Sequence, residues 1–578
     1  MFVYWLSFLS LSMAECPHYQ ETRSVFWGDL HVHTAHSLDA ALQGTLTSHQ
    51  QAYDFAKGQP VRLGGQKENQ LERALDFVAI TDHAEFFGET QICTDNNREG
   101  YSSVTCRLYR NHPSLAFLFL NAKLSQQPKG NPAQVRRLRL CNKRGVDCGG
   151  VAEEVWLEQN RLAASNNQHC TFTTFPAYEW SASPRTQNLH RNIIFQSDQV
   201  PSRAISYFDS PTPIQLWSAL DQACVDGCSY ISIPHNSNLC SGKMFLPYRE
   251  EDKEALVIQA QHHADHEFLV EIFQHKGSSE CYPTLTDEHC SFEYLPFNNL
   301  IADRYDGFLT KQPTEQDFVR TALKEGLLYQ ENGIVNPYQL GFVAATDTHL
   351  GAPGLVEEET FTGHGGAGSS SEDPGEGLPD SPYFNGGGLT AVWAEENTRA
   401  SLFASFQRRE VYGTSGPRIS LRFFATSRKI EGDCGTTEWL REAYQSGTPM
   451  GGEIENSGDI HFYILTEKDA LSSGLETAQI IKGWIDEGET KEKIYSLALL
   501  DNQARHCLHW QDPDATQGRA FYYVRVLEKE RPRWSKEACA KNRCPEMISD
   551  MIQERAWSSP IWLHDIGYTK QKGASNDK

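Results

Sequence analysis

Short apolar runs that end in a polar residue recur through the first 350 residues of the chain. Each run has four to six residues and precedes His, Asp or Glu within a few positions: 25–30, 77–80, 175–178, 230–233, 268–273 and 342–345. Continuous apolar runs of this length are typical of strands buried on both faces, as in a parallel sheet. Helical patterns lie between some of them, for example at 213–224 and 315–325.

The order of these segments predicts an α/β fold. Functional groups at the carboxyl ends of successive parallel strands are typical of a (β/α) barrel. A doubly wound open sheet also places ligands at strand ends, so it remains the alternative architecture.

The pattern changes near residue 419. Strand-like segments follow, including 459–465, 478–484, 494–499 and 520–526. We therefore predict a barrel domain over 22–418 and a smaller, mainly β C-terminal domain over 419–578. Two insertions interrupt the first domain: 93–158, with four cysteines and a basic stretch, and 363–388, with nine glycines in 26 residues. The glycine content of the second insertion predicts a mobile loop.

The net charge of the chain limits the kinds of partner that we expect it to bind. The 578 residues include 52 basic and 75 acidic side chains, a net charge of −23. A protein that binds a nucleic-acid backbone needs a basic face, so we expect no nucleic-acid partner. A local basic pocket for a small anion remains compatible with this balance.

The N-terminus predicts export. Residues 2–14 are apolar but too short to span a bilayer, and Ser12-Met13-Ala14 fits a small-x-small cleavage site before Glu15. We interpret residues 1–14 as a signal peptide, although no Lys or Arg precedes the apolar stretch. Lipidation of Cys16 is the alternative, which Glu15 disfavours because a small residue should stand there. No other segment is apolar enough for a transmembrane helix, so we expect none.

Cysteine usage supports the same compartment. Fifteen cysteines suit an oxidising environment, which predicts a periplasmic or secreted protein. Five near pairs are candidate disulfides, with connectivity left open: Cys93/Cys106, Cys141/Cys148, Cys224/Cys228, Cys281/Cys290 and Cys539/Cys544. None of them has the Cys-x2-Cys spacing of a zinc ribbon.

Histidines and carboxylates at the strand ends are the candidate chemistry. In His31-x-His33 the two imidazoles project from the same side of an extended chain, and Asp347-x-His349 repeats this spacing. Such a set, without cysteine, suits Mn, Zn or Fe rather than a thiolate site.

Four motifs in this order resemble the PHP (polymerase and histidinol phosphatase) superfamily. They are Asp29-Leu30-His31-Val32-His33-Thr34, Thr81-Asp82-His83, Pro234-His235-Asn236 and Thr346-Asp347-Thr348-His349. Segments 175–181 and 553–562 are similar to the bacterial branch catalogued as domain of unknown function 3604. The resemblance covers most of the chain and implies a distorted (β/α)7 TIM-like barrel with two or three divalent metal ions.

The resemblance also implies a ligand set. One ion would be held by His31, His33, Glu179 and Asp347. A second would share Glu179 with His235 and His190, although His190 precedes a strand-like run, so a structural or substrate role is open for it. A third would be held by Asp39, His83 and His349.

Neighbouring residues receive lesser roles. Asp29 and Asp82 are interpreted as carboxylates that orient histidines. His36 and Glu271 are given no role in the site. His262, His263 and His266 are expected at the surface.

The implied activity is a metal-dependent hydrolase, most simply of phosphate esters, acting in the cell envelope on a small anionic substrate. Glu179, Asp347 and Arg418 are the predicted catalytic residues. The candidate anion-binding arginines are Arg191, Arg399, Arg408, Arg409 and Arg418. The alternatives are another ester, an amide or a sulfate as substrate, or a non-enzymatic envelope binding protein with structural metals. Substrate, native metal and oligomeric state stay open at this level.

Overall fold

The computed structural model describes residues 16–63, 68–130, 135–284, 286–295, 313–365, 380–500, 503–514, 518–540 and 548–565. The predicted signal peptide lies outside these residues, as does the segment 366–379 of the glycine-rich insertion. Within the described ranges, no helix has the length and apolar character needed to cross a bilayer.

Helices and strands alternate in the first part of the chain, and strands dominate the last part. The helices are α1 (Leu38–Leu42), α2 (His49–Ala56), α3 (Phe87–Thr94), α4 (Val104–Asn111), α5 (Pro113–Leu124), α6 (Cys148–Asn166), α7 (Pro213–Ala223), α8 (Lys253–His266), α9 (Val319–Glu331), α10 (Arg399–Gln407), α11 (Thr437–Ser446) and α12 (Lys536–Cys539).

The strands of the first part are β1 (Ser24–Asp29), β2 (Val61–Arg62), β3 (Glu68–Asn69), β4 (Phe77–Ala79), β5 (Thr173–Phe175), β6 (Ala177–Trp180), β7 (Arg191–Phe195), β8 (Tyr230–Pro234), β9 (Leu269–Gln274), β10 (Gly277–Ser278), β11 (Gly341–Ala344), β12 (Leu389–Ala394) and β13 (Val411–Thr414). Those of the last part are β14 (Ser420–Thr426), β15 (Gly447–Pro449), β16 (Glu453–Glu455), β17 (His461–Glu467), β18 (Leu475–Asp486), β19 (Glu489–Ala498), β20 (Arg505–Gln511), β21 (Ala520–Glu528), β22 (Arg531–Pro532), β23 (Met551–Ile552), β24 (Arg555–Ser558) and β25 (Ile561–His564).

Three hydrogen-bonded sheets carry the candidate site. The largest has the order β16-β25-β21-β24-β13-β12-β1-β4-β5, and β18 and β19 extend it from β21. Two three-stranded sheets, β6-β7-β8 and β10-β9-β11, lie beside it. In the apolar runs predicted from sequence, the strands are buried on both faces, for example throughout β4, β6, β9 and β11.

The expected closed barrel is not found. Among the described strands no hydrogen-bonded ring closes, and the ladder is interrupted between the three sheets. The sheet is also not all parallel, because β1 pairs antiparallel with β12, and β7 pairs antiparallel with both β6 and β8. Only the coarser prediction, a mixed α/β fold, is confirmed.

Two isolated bridges bring the ends of separate strands together. Val32 pairs with Thr348, and His83 pairs with Glu179, both in the parallel sense. The backbone nitrogen of Thr81 also donates to the carbonyl oxygen of Val32 at 2.8 Å, so the carboxyl ends of β1, β4, β6 and β11 meet at one place in the fold.

Six disulfides fix the loops of the described chain. Four of the near pairs predicted from sequence are bonded: Cys93–Cys106, Cys141–Cys148, Cys224–Cys228 and Cys281–Cys290. Two long-range bonds were not predicted, Cys16–Cys170 and Cys434–Cys507. Because the sulfur of Cys16 is bonded to Cys170, it is not available for lipidation. Cys544 of the fifth pair lies outside the described residues.

The last part of the chain joins the largest sheet. β24 pairs with β13 on one side and with β21 on the other. β14, β15, β17 and β20 form a separate four-stranded antiparallel sheet. The division into two domains near residue 419 stays a prediction.

Candidate metal centre

The predicted ligands converge at the meeting point of the strand ends. His31 and His33 follow β1, His83 follows β4, Glu179 lies in β6, and the others come from neighbouring ends and loops. All of the predicted metal ligands take part: His31, His33, Asp39, His83, Glu179, His190, His235, Asp347 and His349. Their chain positions span more than 300 residues, so the tertiary fold creates this cluster.

Four ligand atoms form a compact first group. His31 Nε2 lies 3.2 Å from His33 Nε2, 3.1 Å from Glu179 Oε2 and 3.2 Å from Asp347 Oδ1. His33 Nε2 lies 3.3 Å from Glu179 Oε2 and 3.1 Å from Asp347 Oδ1. Four ligands held tetrahedrally at about 2.0–2.1 Å from an ion lie about 3.4 Å from one another. The observed spacing matches such a ligand shell.

Glu179 divides its two carboxylate oxygens between different partners. Oε2 faces the first group, whereas Oε1 lies 2.6 Å from His190 Nδ1, 3.4 Å from His235 Nε2 and 3.2 Å from His83 Nδ1. This arrangement places one carboxylate between two sets of imidazoles, as a bridging ligand requires.

His190 joins this group because of the direction of β7. β7 runs antiparallel to β6, and Trp180 pairs with Arg191, so the start of β7 lies beside the end of β6. A residue that precedes a strand therefore reaches the same edge as residues that follow one.

Asp39 forms the centre of a third group. Its Oδ2 atom lies 3.0 Å from His83 Nε2 and 2.9 Å from His349 Nε2. The ligand atoms of His33, Asp39, His83 and His349 all lie within 4.8 Å of one another.

The second ring nitrogen of several histidines has its own partner. His33 Nδ1 lies 3.0 Å from Ser37 Oγ, and His349 Nδ1 lies 2.8 Å from the carbonyl oxygen of Asp347. His83 Nδ1 contacts Ser181 Oγ. Such partners fix the orientation and tautomer of a ligand imidazole, leaving the other nitrogen free for an ion.

Strand β9 and the turn that follows it supply contacts that the sequence did not predict. Glu271 Oε2 lies 2.9 Å from His31 Nδ1, and Gln274 Nε2 donates to Asp347 Oδ2 at 2.6 Å. His275 Nε2 lies 3.3 Å from the same oxygen, and Lys276 Nζ contacts it as well. Glu271 therefore belongs to the site, contrary to the expectation from sequence.

The protein charges of the cluster compensate one another. Burial would raise the pKa of Glu179, yet His83, His235 and His190 hold it well below its usual range. Burial opposes ionisation of Asp347 in the same way, but His31 and Lys276 hold its pKa well below the usual value. Both carboxylates are thus kept in the anionic form that binds cations.

The donor set fits divalent metal ions. Asp347 Oδ1 makes no hydrogen bond within the described residues, although two histidine nitrogens lie 3.1 and 3.2 Å away. The Nδ1 atom of His235 is also without a hydrogen-bond partner there. Imidazole and carboxylate ligands without thiolate suit Mn, Zn or Fe. His31, His33, Glu179 and Asp347 would hold one ion, and Glu179 would bridge to the next.

Asp29 and Asp82 orient backbone rather than the ligand imidazoles. Asp29 accepts from the backbone nitrogens of His31 and Gly354 and from the hydroxyl of Thr346. Burial raises the pKa of Asp29 to about 6, while the hydrogen bond from Thr346 opposes the shift.

Asp82 accepts from the backbone and hydroxyl of Thr34 and lies 3.3 Å from His49 Nε2. His49 lies outside the predicted ligand set, so the histidine that Asp82 orients is not one of the candidate ligands.

The structure does not bring Arg418 to the cluster. Its guanidinium donates to the carbonyl oxygens of Arg73 and Ala74, and its backbone nitrogen donates to Asp469. These contacts give Arg418 a structural position between loops, and the catalytic role predicted for it has no geometric support.

The other candidate arginines are likewise engaged elsewhere, with carboxylates or backbone carbonyls: Arg191 with Glu267, Arg399 with Asp198, Arg408 with Glu395 and Glu410, and Arg409 with Gly451 and Glu453.

One of the three histidines expected at the surface is buried. His263 is 7% exposed, and its Nδ1 atom lies 2.6 Å from Glu267 Oε2. His266 stacks on Trp217 and contacts Asp221. Neither contacts the cluster of predicted ligands.

Comparison with known proteins places the chain in a family. A family model described as "Protein of unknown function (DUF3604)" matches residues 20–508 and 503–565. No curated protein matches the chain. One solved structure, a two-domain protein from Bacteroides vulgatus that contains a predicted PHP-like metal-dependent phosphoesterase, is 10% identical with a TM-score of 0.31. The alignment covers 89% of this chain and 95% of that one, but at this similarity it gives no information about activity. The family match extends over most of the chain, and the protein belongs to the DUF3604 family.

Proposed function

We propose that this protein is an exported metal-dependent hydrolase whose substrates are phosphate esters. The observation that carries the proposal is the position of Glu179, whose two oxygens face two different sets of histidines. A carboxylate in this position can link two metal sites, and adjacent metal sites suit the displacement of an oxygen at phosphorus.

The residues that would hold the ions fall into three sets. His31, His33, Glu179 and Asp347 form the first, and Glu179 would be shared with a second set of His190 and His235. Asp39, His83 and His349 form the third set. Divalent ions bound there supply an activated water and neutralise the charge of phosphoryl oxygens.

The exposure of the candidate ligands indicates the side from which substrate enters. The side chains of His31, His33, Glu179, His235 and Asp347 are at most 1% exposed. Those of Asp39, His83 and His190 are 14%, 13% and 16% exposed. Solvent therefore reaches the cluster from the side of these three residues, and we place the substrate there. The buried side excludes water and strengthens electrostatic interactions with the substrate.

The six disulfides of the described chain support export, because such bonds persist in oxidising compartments. We therefore place the activity in the periplasm or outside the cell.

The test is a substrate panel with metal-loaded protein. Phosphate monoesters, phosphodiesters, carboxylic esters, amides and sulfate esters are assayed with Mn²⁺ or Zn²⁺, and bound metal is counted by elemental analysis. We expect two or three ions per chain and hydrolysis of phosphate esters. Glu179→Gln should lose at least one ion together with activity, whereas His18→Ala, at an exposed position, should lose neither.

Two results would contradict the proposal in different ways. Protein that is fully active without metal would remove the metal-dependent mechanism. Metal-loaded protein that hydrolyses another class, and no phosphate ester, would retain the mechanism and replace the substrate class.

A further inference from the structure

Lys276 brings a positive charge directly to the candidate metal centre. It follows β9 at the turn before Gly277, and its Nζ atom contacts Asp347 Oδ2. The candidate arginines of the sequence analysis are all engaged elsewhere in the fold. Among the lysines and arginines of the described residues, Lys276 is thus the one that contacts a predicted metal ligand.

Asp347 does not depend on Lys276 for its hydrogen bonds. Its Oδ2 atom already accepts from Gln274 Nε2 at 2.6 Å and lies 3.3 Å from His275 Nε2. Gln274 is itself held by Asn236 Oδ1 at 2.7 Å, so this amide stays in place without the lysine. The ammonium can therefore exchange Asp347 for another anion without leaving the carboxylate unpaired.

Lys276 is partly open to solvent and lies close enough to His190 for their charges to interact. Its side chain is 15% exposed, whereas Asp347 beside it is 1% exposed. This exposure is close to that of Asp39, His83 and His190, which line the proposed entrance. An anion that enters beside His190 therefore also meets the ammonium of Lys276.

Lysine suits an anion with several equivalent oxygens. The ammonium is a compact charge with three donors on a flexible stem, so it can follow a phosphoryl oxygen without a fixed orientation. A phosphate monoester at neutral pH carries more charge on its terminal oxygens than a diester does. A single cation beside the metal centre therefore favours the monoester.

We propose that Lys276 is a specificity-determining residue that binds a terminal oxygen of the substrate phosphoryl group and selects phosphate monoesters over diesters. This inference rests on the proposed function for its substrate class. Its chemical core, binding of an oxyanion by Lys276 beside the metal ligands, can be measured without turnover.

The experiment compares metal-loaded wild type with Lys276→Met and Lys276→Arg. Inorganic phosphate is the probe, and its dissociation constant is measured by calorimetry together with metal content and melting temperature. A hydrogen bond to a charged group contributes about 1.5–3 kcal/mol, so Lys276→Met should weaken phosphate binding by about 10- to 100-fold. Metal content should not change, and Lys276→Arg should restore part of the affinity.

Kinetics give the second readout. For Lys276→Met, kcat/KM should fall more for a phosphomonoester than for a phosphodiester with the same leaving group. Lys253→Met is the matched control, because Lys253 is 42% exposed at the start of α8. This control should alter neither phosphate binding nor the ratio of the two rates.

The outcomes separate this inference from the proposed function. Unchanged phosphate affinity in Lys276→Met, or a loss of affinity that accompanies loss of metal, would overturn the inference and leave Lys276 as a structural ion pair. Wild type that binds phosphate through Lys276 but hydrolyses no phosphate ester would overturn the proposed function and the selection of monoesters, and would retain the oxyanion site at Lys276.

Discussion

The Nδ1 atom of His31 lies 2.9 Å from Oε2 of Glu271, although the two residues are 240 positions apart in the chain. Both side chains are almost completely buried. The contact leaves Nε2 of His31 pointed towards Glu179 and Asp347. Glu271 therefore holds the ring of a candidate ligand in position without itself facing the first group of candidate ligand atoms.

Glu271→Ala should weaken metal binding by about 10- to 100-fold, the usual effect of removing a partner that orients a ligand histidine. The measurement is a metal titration of the apoprotein followed by calorimetry, with circular dichroism to check folding. Glu271→Gln keeps the shape but not the charge and should lie between Ala and wild type. Glu254→Gln, at an exposed position on α8, should bind metal normally. Equal affinities for all four proteins would remove Glu271 from the site.

The sequence singles out the strand-end histidines and carboxylates that the fold brings together, because two local patterns coincide there. A buried apolar run marks a strand, and the His or carboxylate after it marks the strand end, as in residues 342–349. Glu271 lacks this signal. It lies inside the apolar run of β9, where a carboxylate has no local pattern to distinguish it from a buried structural residue.

The sequence predicts the strands better than it predicts their direction. Apolar runs in the sequence suggested parallel strands, yet β6 and β7 are antiparallel. The loop between them, residues 181–190, has ten residues. Parallel neighbours need a crossover of a dozen or more residues, so this spacing already favoured the antiparallel pair and the position of His190. No comparable pattern in the sequence indicates that Arg418 lies away from the cluster, because its partners Arg73, Ala74 and Asp469 lie in distant loops.

A buried carboxyl group outside the metal centre predicts a pH dependence of stability. Glu89, on α3, is 3% exposed, and its Oε1 atom lies 3.1 Å from Cys141 Sγ. Burial raises the pKa of Glu89 from 4.5 to about 7, although Arg137 opposes the shift. The native state thus holds a proton between pH 4.5 and 7 that the unfolded state releases, so this group's contribution to stability decreases as pH rises through that window.

Glu89→Gln should remove this loss, because the amide cannot ionise. Its stability relative to wild type should increase from pH 4.5 to pH 7 by at most about 3 kcal/mol and then stay constant. Urea unfolding at a series of pH values measures the difference. Glu153→Gln, at an exposed position of α6, should track the wild type. A Glu89→Gln difference that does not vary with pH would show that Glu89 ionises normally.

The two disulfides with the most different loop lengths should contribute differently to stability. Cys16–Cys170 joins residues 154 positions apart, whereas Cys224–Cys228 spans 4. In the chain-entropy model, these bonds stabilise the protein by about 5 and about 2 kcal/mol. Double alanine variants of each pair, compared by chemical unfolding, should therefore rank in that order.

Peptide mapping without reduction provides the control for these variants. It should identify both bonds in the exported wild type and the remaining bonds in each variant. If the protein carries free thiols at Cys16 and Cys170, both the long-range bond and the assignment to an oxidising compartment fail.

The last prediction concerns Glu280, which joins the first part of the chain to strands β21 and β24. It is 2% exposed and accepts from Arg320 at 2.7 Å, from Arg525 at 3.0 Å and from the indole of Trp557 at 2.7 Å. Burial opposes its ionisation, but Arg525 and Arg320 hold its pKa far below the usual range. Removal of its charge would leave two buried guanidinium groups with Asp287 and, for Arg320, the more distant Glu492 to compensate them.

Glu280→Gln should lower the free energy of unfolding by about 3–5 kcal/mol, the usual cost of breaking a buried ion pair from one side. Arg525→Met in the same chain should recover part of that loss, because it removes one of the uncompensated charges; a double-mutant cycle measures the coupling. Bound metal per folded chain should stay at the wild-type value, since Glu280 does not contact the candidate ligands. A loss below about 1 kcal/mol in Glu280→Gln would mean that the arginines find other partners or water, and the network would then contribute little to holding β21 and β24 against the rest of the fold.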